Sequence, residues 1–369
     1  MLPFQIARIG DHFGAGLGRL SSLTKVKLLP GAIASAARAM QPRRRKILLV
    51  ATVMDWHTPK EMLAKGNKLP IGGHEIIISH PDKVLYRLGK FTKADLIDYY
   101  LRVGPFLLPH LRNRPVTLKQ FPDRTAFKEK NFPTSIPKWV KRVPASCREG
   151  DPPIRCMINN RAALVWAANL TALELHPFSH RASRPNKPTH VVFDLDPGEG
   201  VDIWRCAEVA ILLRHVLTNL HLKSFAKVSG SKGIQVYVPL NVKVTYAASQ
   251  PFAGAVAELL AGQYSDIVVA EMARNLRVGR VFVDWTQNAE HKTTISVYSL
   301  RMGRGRPYVS MPVSWEELRQ ALKKRNEERL FFEPEAALRR LQKMGDLFAP
   351  VLKLKQQLPE EFTALERRL

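Results

Sequence analysis

The stretch VVFDLDPG, residues 191–198, is an apolar run that carries two aspartates and ends at Pro-Gly. With His190 before it, the alternation predicts a strand over His190–Asp196, in which residues two apart point the same way. Asp194 and Asp196 then share one face, and the residues between them enter the core. Two carboxylates this close repel each other unless a cation separates them. The stretch predicts a divalent metal site or, alternatively, a strand-end turn in which an aspartate caps the following loop.

A third acid follows the same pattern. The run VFVDW, residues 281–285, is an apolar strand candidate with Asp284 near its end. Alone, such an aspartate is typical of a turn or an ion pair. Three acids on adjacent strand ends are instead what a two-metal phosphoryl-transfer site requires. We therefore interpret Asp194, Asp196 and Asp284 as a joint set of metal ligands.

A small-residue loop lies between these two stretches. The sequence SGSKG, residues 229–233, connects the predicted strands Ser224–Val228 and Ile234–Pro239. Its backbone N–H groups, the Ser229 hydroxyl and the charge of Lys232 are suited to holding phosphate. The spacing and the strand on each side differ from a Walker A loop. The alternative is a simple hairpin turn.

The remaining pattern predicts mixed helices and strands, which favours an α+β fold over a doubly wound sheet. Thr92 and Asp95 form a predicted capping box for a helix that runs to about His110, and Asp202 caps a second helix. The other predicted helices are Ala162–Glu174, Ala247–Gly262, Ser314–Glu327, Pro334–Met344 and Pro359–Leu369. The other predicted strands are His74–Ser79, Val116–Phe121 and Thr293–Tyr298, and residues 122–160 are loop-rich.

The charge of the chain restricts its partners. Its 369 residues carry 57 Lys and Arg against 32 Asp and Glu, a net charge of +25. Such a surface favours a polyanion, which is nucleic acid first and an anionic membrane second. No apolar run is long enough for a spanning helix, so we expect no membrane partner. The three cysteines have no paired spacing, which favours a reducing cytoplasm.

Residues 1–70 differ from the rest of the chain. They hold twelve Lys and Arg and three Asp and Glu and lack a long periodic segment. We expect a flexible, basic N-terminal extension here. A short helical tail is expected over residues 358–369.

Seven segments in fixed order carry a family resemblance. They are HPDKVLY (80–86), LELHP (173–177), VVFDLDPGEG (191–200), VSGSKG (228–233), VFVDWTQN (281–288), KTTISVYSLR (292–301) and GDLFAPVLKLKQ (345–356). In this order they resemble the polymerase domain of bacterial DNA ligase D, an archaeo-eukaryotic primase-type polymerase of non-homologous end joining. The resemblance implies a primase-type α+β fold over residues 71–357, with mixed sheets and flanking helices. It also implies nucleotidyl transfer with Mn²⁺ or Mg²⁺ at a two-metal site.

The resemblance also assigns roles to single residues. Asp194, Asp196 and Asp284 are the implied catalytic metal ligands. The implied nucleotide-binding residues are His176, Ser229, Lys232, Gln235 and Arg301, and members of the family often favour ribonucleotides. Lys83 and Lys93 match lysines that hold a DNA 5′-phosphate, and Arg277 and Gln287 line the cleft. From its sequence context alone, His176 is alternatively a core histidine with a satisfied partner.

Two positions depart from the family pattern. The family has a histidine on the triphosphate where this chain has Gln235. Glutamine donates a hydrogen bond but cannot carry a charge, so weaker nucleotide binding or slower turnover is expected. The family also stacks two adjacent phenylalanines on the template, and here only Phe127 remains, followed by Lys128.

These residues predict gap filling and end extension at DNA double-strand breaks, with NTP or dNTP as substrate. No Lys-x-Asp-Gly ligase motif is present in the sequence, so a separate DNA ligase and a Ku-type end-binding protein are expected partners. A cytoplasmic, nucleoid-associated location follows. The alternatives are a catalytically weak or inactive module that binds and bridges DNA ends, and a primase that starts chains de novo.

Overall fold

A six-stranded mixed sheet has the acidic stretch in one of its central strands. The computed structural model describes residues 67–120, 136–145, 154–302, 305–325 and 327–363. Within these ranges the strands are β1 Lys68–Ile71, β2 His74–Ile77, β3 Val84–Tyr86, β4 Phe91–Thr92, β5 Val116–Gln120, β6 Arg142–Pro144, β7 Ile154–Cys156, β8 Ala172–Pro177, β9 His180–Arg181, β10 Arg184–Pro188, β11 His190–Pro197, β12 Phe225–Val228, β13 Ile234–Pro239, β14 Val268–Val269, β15 Val281–Asp284, β16 Leu300–Arg301, β17 Tyr308–Val309 and β18 Pro312–Val313. The helices are α1 Lys93–Leu111, α2 Arg161–Asn169, α3 Ile203–Asn219, α4 Tyr246–Gln263, α5 Trp315–Lys324, α6 Pro334–Met344 and α7 Glu360–Thr363.

The strand order of the large sheet is β14-β15-β11-β13-β12-β18. Strand β11 pairs antiparallel with β13 on one side and with β15 on the other. Only β14 and β15 run parallel within this sheet. A second sheet has the order β6-β7-β5-β8. Mixed sheets with flanking helices confirm the expected α+β fold class.

The apolar face of β11 anchors the core. Phe193 and Leu195 are fully buried, as the alternation predicts, and α3 packs on β11 and β13. Both predicted helix caps are confirmed. The Thr92 hydroxyl accepts from the Asp95 N–H at 3.2 Å while Asp95 accepts from the Thr92 N–H at 2.8 Å. Asp202 accepts from the Trp204 N–H at 3.0 Å.

The predicted helix Ala162–Glu174 is wrong at its C-terminal end. Helix α2 ends at Asn169, and Thr171 takes a left-handed backbone with φ 60° that turns the chain into β8. Within β8 every residue from Ala172 to His176 is buried. An apolar run buried on both faces cannot be told from a helix by its periodicity, so the sequence concealed this boundary.

The predicted strand Thr293–Tyr298 is also wrong. Thr293 makes one isolated bridge with Phe178, and the Ser296 N–H donates to the Leu175 carbonyl at 2.8 Å. No regular ladder follows, because Tyr298 has a left-handed backbone with φ 65° and the Ser299 hydroxyl accepts from the Leu175 N–H. The segment therefore runs beside β8 without regular strand pairing and is held there by single backbone and side-chain hydrogen bonds.

Three further expectations meet the described residues only in part. The loop-rich region 122–160 contains β6 and β7, which pair with each other. Residues 68–70 of the expected extension belong to β1, which pairs with β2, and residues 1–66 lie outside the described residues. The tail includes the short helix α7. The division of the chain into these three parts stays a prediction. None of the helices described is long and apolar enough to cross a membrane.

Candidate active site

One row of side chains crosses four strands of the large sheet. Strand pairing sets Lys227 opposite Gln235, Gln235 opposite Asp194, and Asp194 opposite Asp284. Directly paired residues point to the same face of a sheet. Asp196 lies two residues from Asp194 and joins this face. The structure therefore brings the three predicted carboxylates together on the side of β11 opposite Phe193 and Leu195.

The carboxyl group of Asp194 is strongly perturbed. It is half-buried on the face of the sheet, and the loss of hydration raises its pKa to about 7. The charges of Asp196 and Asp284 raise the pKa further, while a hydrogen bond from Gln235 lowers it. A divalent cation removes this repulsion and stabilises the ionised form. The donor set consists of hard carboxylate oxygens, which suit Mg²⁺ or Mn²⁺.

Asp196 and Asp284 lie in different surroundings. Loss of hydration and the charge of Asp284 raise the pKa of Asp196, against the opposing charges of Arg301 and Arg277. Asp284 accepts from the Thr286 N–H at 3.0 Å, from the Thr286 hydroxyl at 2.6 Å and from Gln287 Nε2 at 2.6 Å. Gln287 is thus held against the third acid.

The carboxylates share a face but are not gathered around one point. Among the described residues, no three Asp, Glu, His or Cys side chains are close enough to hold an ion together. The hydrogen bonds of Asp284 with Thr286 and Gln287 explain part of this arrangement, because both carboxylate oxygens already have partners. Asp284 Oδ2 accepts one hydrogen bond and keeps a second lone pair, which is available to an ion.

Gln235, the first departure from the family pattern, is integrated into the site. Its side chain is 2% exposed, and Nε2 donates to Asp194 Oδ2 at 2.9 Å. The Tyr237 hydroxyl donates to Gln235 Oε1 at 3.5 Å, which fits the same amide orientation. The neutral amide thus supplies a donor to the acid without a competing positive charge.

Lys227 is a charged residue of the site that sequence reasoning missed. Its side chain is fully buried, and Nζ donates to the Ser310 hydroxyl at 2.6 Å. Burial lowers its pKa to about 7, whereas the charge of Asp194 raises it. In its charged form this buried ammonium offsets part of the negative charge of Asp194. Only its position before the SGSKG loop, at the end of a predicted strand, could have drawn attention to it.

The predicted phosphate loop, residues 229–233, lies beside the acids, since a Cβ on Gly233 would lie 3.4 Å from Asp196 Oδ1. Ser229 Oγ accepts from the N–H groups of Ser231 at 3.3 Å and Gly233 at 3.2 Å, which closes the loop. These two N–H groups are already engaged, so a phosphate would depend on the other donors of the loop. Lys232 is exposed at the tip. A Cβ on Gly233 would lie 2.5 Å from the Leu195 carbonyl oxygen, so only glycine allows this approach to β11.

Arg301 connects the loop to His176. A Cβ on Gly230, whose φ is 78°, would lie 3.0 Å from Arg301 Cβ. Arg301 Nη1 donates to Glu174 Oε2 at 3.3 Å, and His176 Nε2 lies 2.8 Å from the same oxygen. Glu174 is 3% exposed and was also missed by sequence reasoning. His176 therefore has a buried hydrogen-bond partner, as the alternative of a core histidine predicts. It shares this partner with Arg301.

Arg277 reaches the acids from a neighbouring loop. Its guanidinium lies 3.7 Å from the ring centroid of Phe282, which pairs with Asp196. Gly198 allows this loop to approach, because a Cβ there would lie 1.7 Å from the Arg277 carbonyl oxygen. The Pro-Gly that ends the acidic stretch thus has a steric function.

The two predicted 5′-phosphate lysines flank the hairpin of β3 and β4. Lys93 is 3% exposed, and its Nζ donates to the Ser79 carbonyl at 2.5 Å and to the Ser79 hydroxyl at 2.9 Å. Burial and the nearby charge of Lys83 lower the pKa of Lys93 to about 8. An anion between two such cations relieves their repulsion.

The first N–H groups of helix α1 are engaged within the protein. The N–H groups of Lys93 and Ala94 already donate to the carbonyls of Lys83 and Pro81 at 2.9 Å each, and that of Asp95 donates to Thr92. These three N–H groups are therefore not free for an anion. Phe127 and Lys128 lie outside the described residues.

Comparison with known proteins gives consistent matches. A family model for the LigD primase-polymerase domain matches residues 92–348. The multifunctional non-homologous end joining protein LigD of Mycolicibacterium smegmatis is 38% identical over 279 residues, covering 74% of this chain and 36% of that protein. The bifunctional LigD of Bacillus subtilis is 32% identical over 246 residues, covering 65% of this chain and 39% of that protein. The chain therefore spans little more than a third of the length of these relatives.

A solved structure matches the fold. The polymerase domain of Mycobacterium tuberculosis ligase D, in complex with DNA, gives a TM-score of 0.68 at 36% sequence identity. The match covers 76% of this chain and 99% of that domain. The sequence and the fold thus point to the same group of proteins.

The raised pKa of Asp194 predicts a pH-dependent stability in the absence of divalent metal. The folded-state pKa of about 7 lies above the ordinary aspartate value of about 3.9. The stability that protonation contributes is therefore lost as pH rises from about 4 to about 7. Relative to wild type, Asp194→Asn should gain up to about 1.4 kcal/mol of unfolding free energy per pH unit over this window and level off above it.

Urea unfolding in a chelator at pH 5 to 8 measures this difference. Because the charge of Asp194 raises the pKa of Lys227, the substitution also shifts that lysine, and the difference reports the coupled pair. Mn²⁺ or Mg²⁺ at pH 8 should stabilise wild type more than Asp194→Asn. A difference in unfolding free energy that stays constant with pH would contradict the expected perturbation of Asp194.

Proposed function

Because the chain belongs to the LigD primase-polymerase domain family, we propose that it is a metal-dependent, template-directed polymerase. Its reaction is nucleotidyl transfer that fills gaps and extends ends at DNA double-strand breaks during non-homologous end joining. The supporting observation is the cross-strand row in which Asp194 faces Asp284 with Asp196 beside them. Bound Mn²⁺ or Mg²⁺ supplies activation of the primer 3′-hydroxyl and neutralisation of the triphosphate charge.

The chain's own residues divide the remaining work. Asp194, Asp196 and Asp284 hold the two ions. Ser229, Lys232 and Arg301 bind the triphosphate of NTP or dNTP, since all three lie around the loop that touches β11. Gln235 orients Asp194 by donating to it at 2.9 Å. Lys227, two strands away on the same face of the sheet, offsets part of the charge of Asp194.

Lys83 and Lys93 hold the 5′-phosphate on the downstream strand of a gap or end. The repulsion between them, which lowers the pKa of Lys93, supports an anion at this position. A Ku-type end-binding protein and a DNA ligase activity complete the repair reaction in this proposal.

Primer extension tests the polymerase proposal. On gapped DNA with a recessed 5′-phosphate and Mn²⁺, wild type should incorporate nucleotides. Asp194→Asn should lower incorporation at least about a hundredfold, equivalent to about 2.7 kcal/mol of transition-state stabilisation. Glu208→Gln is a matched control, since Glu208 pairs with Arg205 at 2.8 Å on the surface.

Gln235→His separates an active enzyme from a decayed one. Because Gln235 already donates to Asp194, we expect wild type to be active and the histidine variant to differ by less than about tenfold. Incorporation by Gln235→His alone would identify a decayed polymerase. Tight DNA binding without incorporation by either protein would favour the end-bridging alternative.

The 5′-phosphate site is tested by DNA binding. Wild type should bind gapped DNA more tightly when the 5′-phosphate is present, and Lys93→Met should lose most of this preference. Lys90→Met is the matched control, because Lys90 is an exposed lysine of the same hairpin. The pKa of Lys93 near 8 adds a pH signature.

A bound phosphate favours the charged form of Lys93, so binding takes up a proton above pH 8. The preference for the 5′-phosphate should therefore fall by up to about tenfold per pH unit above 8 in wild type. Lys93→Met should lack this decline. Equal preference in Lys93→Met and Lys90→Met would exclude Lys93 as the phosphate ligand.

A further inference from the structure

Glu174 is a buried carboxylate between two residues of the nucleotide site. It lies on β8, next to β5 in the second sheet, where Lys119 is its paired neighbour. Strand β16 packs beside β8 and brings Arg301 to it. With 3% of its surface exposed, the side chain cannot rely on water to satisfy its charge.

Three donors converge on this carboxylate. Oε1 accepts from the Met302 N–H at 2.9 Å. Oε2 accepts from Arg301 Nη1 at 3.3 Å and lies 2.8 Å from His176 Nε2. Burial alone would raise the pKa of Glu174, but these interactions outweigh it and hold the pKa below its ordinary value. Glu174 is therefore ionised and can only accept hydrogen bonds.

An acceptor-only partner decides the tautomer of His176. Burial lowers the pKa of His176 to about 4, so the ring is neutral and carries one proton. That proton must lie on Nε2, because Nε2 faces an oxygen that cannot donate. Nδ1 is left with a lone pair, and it makes no hydrogen bond to any residue in the described ranges.

We propose that Glu174 is a positioning residue that fixes His176 as a hydrogen-bond acceptor at Nδ1 while it anchors Arg301. A ring nitrogen with a lone pair binds a hydroxyl group that donates to it. On the nucleotide, the sugar 2′-hydroxyl is such a donor, whereas a 2′-hydrogen or 2′-fluorine is not. Glu174 thereby connects His176, which binds the sugar in this proposal, with Arg301, which binds the triphosphate. This inference rests on the proposed polymerase function.

Glu174→Gln replaces one acceptor oxygen of the carboxylate with an NH2 donor group at nearly constant side-chain size. The glutamine has one acceptor oxygen, and three donors compete for it. If the oxygen stays with the Met302 N–H, the amide group faces His176 Nε2 with two N–H donors. His176 can answer only by accepting at Nε2 and moving its proton to Nδ1, which then no longer accepts.

The first experiment reads the tautomer directly. Nitrogen-15 NMR of histidine-labelled protein, without metal, nucleotide or DNA, distinguishes a protonated ring nitrogen from one with a lone pair. Wild type should show His176 protonated at Nε2, and Glu174→Gln should show it protonated at Nδ1. A wild-type His176 protonated at Nδ1 overturns the proposal whether or not the protein polymerises.

The second experiment compares ATP, 2′-dATP and 2′-fluoro-2′-dATP in single-nucleotide incorporation. In wild type, KM for both analogues should exceed KM for ATP by about three- to tenfold, the value of one hydrogen bond. In Glu174→Gln the three KM values should come within about twofold of each other, with kcat less affected. Equal KM values for ATP and 2′-fluoro-2′-dATP in wild type contradict the proposal.

A second carboxylate–histidine pair serves as the control. Asp346 Oδ2 lies 2.8 Å from His110 Nε2, outside the nucleotide site. Asp346→Asn should leave the KM ratios unchanged, so general loss of stability is separated from loss of positioning. If wild type incorporates nothing while NMR shows the expected tautomers, the proposed function fails and the assignment of Glu174 stands. If Glu174→Gln does not fold, the tautomer of His176 and the KM values for the three nucleotides, both measured in wild type, still test the proposal.

Discussion

The antiparallel register of β11 with β13 and β15 is the constraint from which the site follows. It sets Asp194 directly between Gln235 and Asp284, and a slip of one residue would move every side chain of β11 to the other face. Phe193 and Leu195 prevent that slip, because their burial ties the apolar alternation to the core. The hydrophobic effect thus forces carboxylates together that would repel each other in water.

The surrounding residues are arranged to tolerate this repulsion. Lys227 offers a fully buried positive charge from the strand beyond Gln235. Arg277 and Arg301 approach Asp196 and lower its pKa against the effect of burial. A buried charge is costly unless it is paired or hydrogen-bonded. The two arginines and Lys227 therefore oppose the repulsion among the three acids.

The sequence predicts what depends on short-range pattern and misses what depends on tertiary contact. The acidic strand, its inward residues, the two helix caps and the small-residue loop follow from period, capping chemistry and spacing. The boundary of α2 does not, because an apolar run buried on both faces has no distinguishing period. The segment Thr293–Tyr298 does not form a strand, because the Leu175 N–H donates to the Ser299 hydroxyl instead of to a backbone carbonyl.

Lys227 and Glu174 show the same limit within the site. Each is an ordinary charged residue in its local sequence. Lys227 belongs to the site because Asp194 lies two strands away on the same sheet face. Glu174 belongs to it because it binds Arg301, 127 residues further along the chain. The departure at Gln235 is a related case. From the sequence it is a lost charge, whereas the structure places its amide as a donor to Asp194.

One hydrogen bond joins the two anion-binding regions of the proposal. The β3–β4 hairpin connects Lys83 to Lys93, and within it the Tyr86 hydroxyl donates to the Arg301 carbonyl at 2.8 Å. Arg301 also binds Glu174, which holds His176. A phosphate held by the two lysines is therefore linked through a single hairpin to the residues that would bind the nucleotide. A polymerase that fills short gaps needs a fixed relation between the downstream phosphate and the incoming nucleotide, and the Tyr86–Arg301 hydrogen bond is a direct contact through which this hairpin can set it.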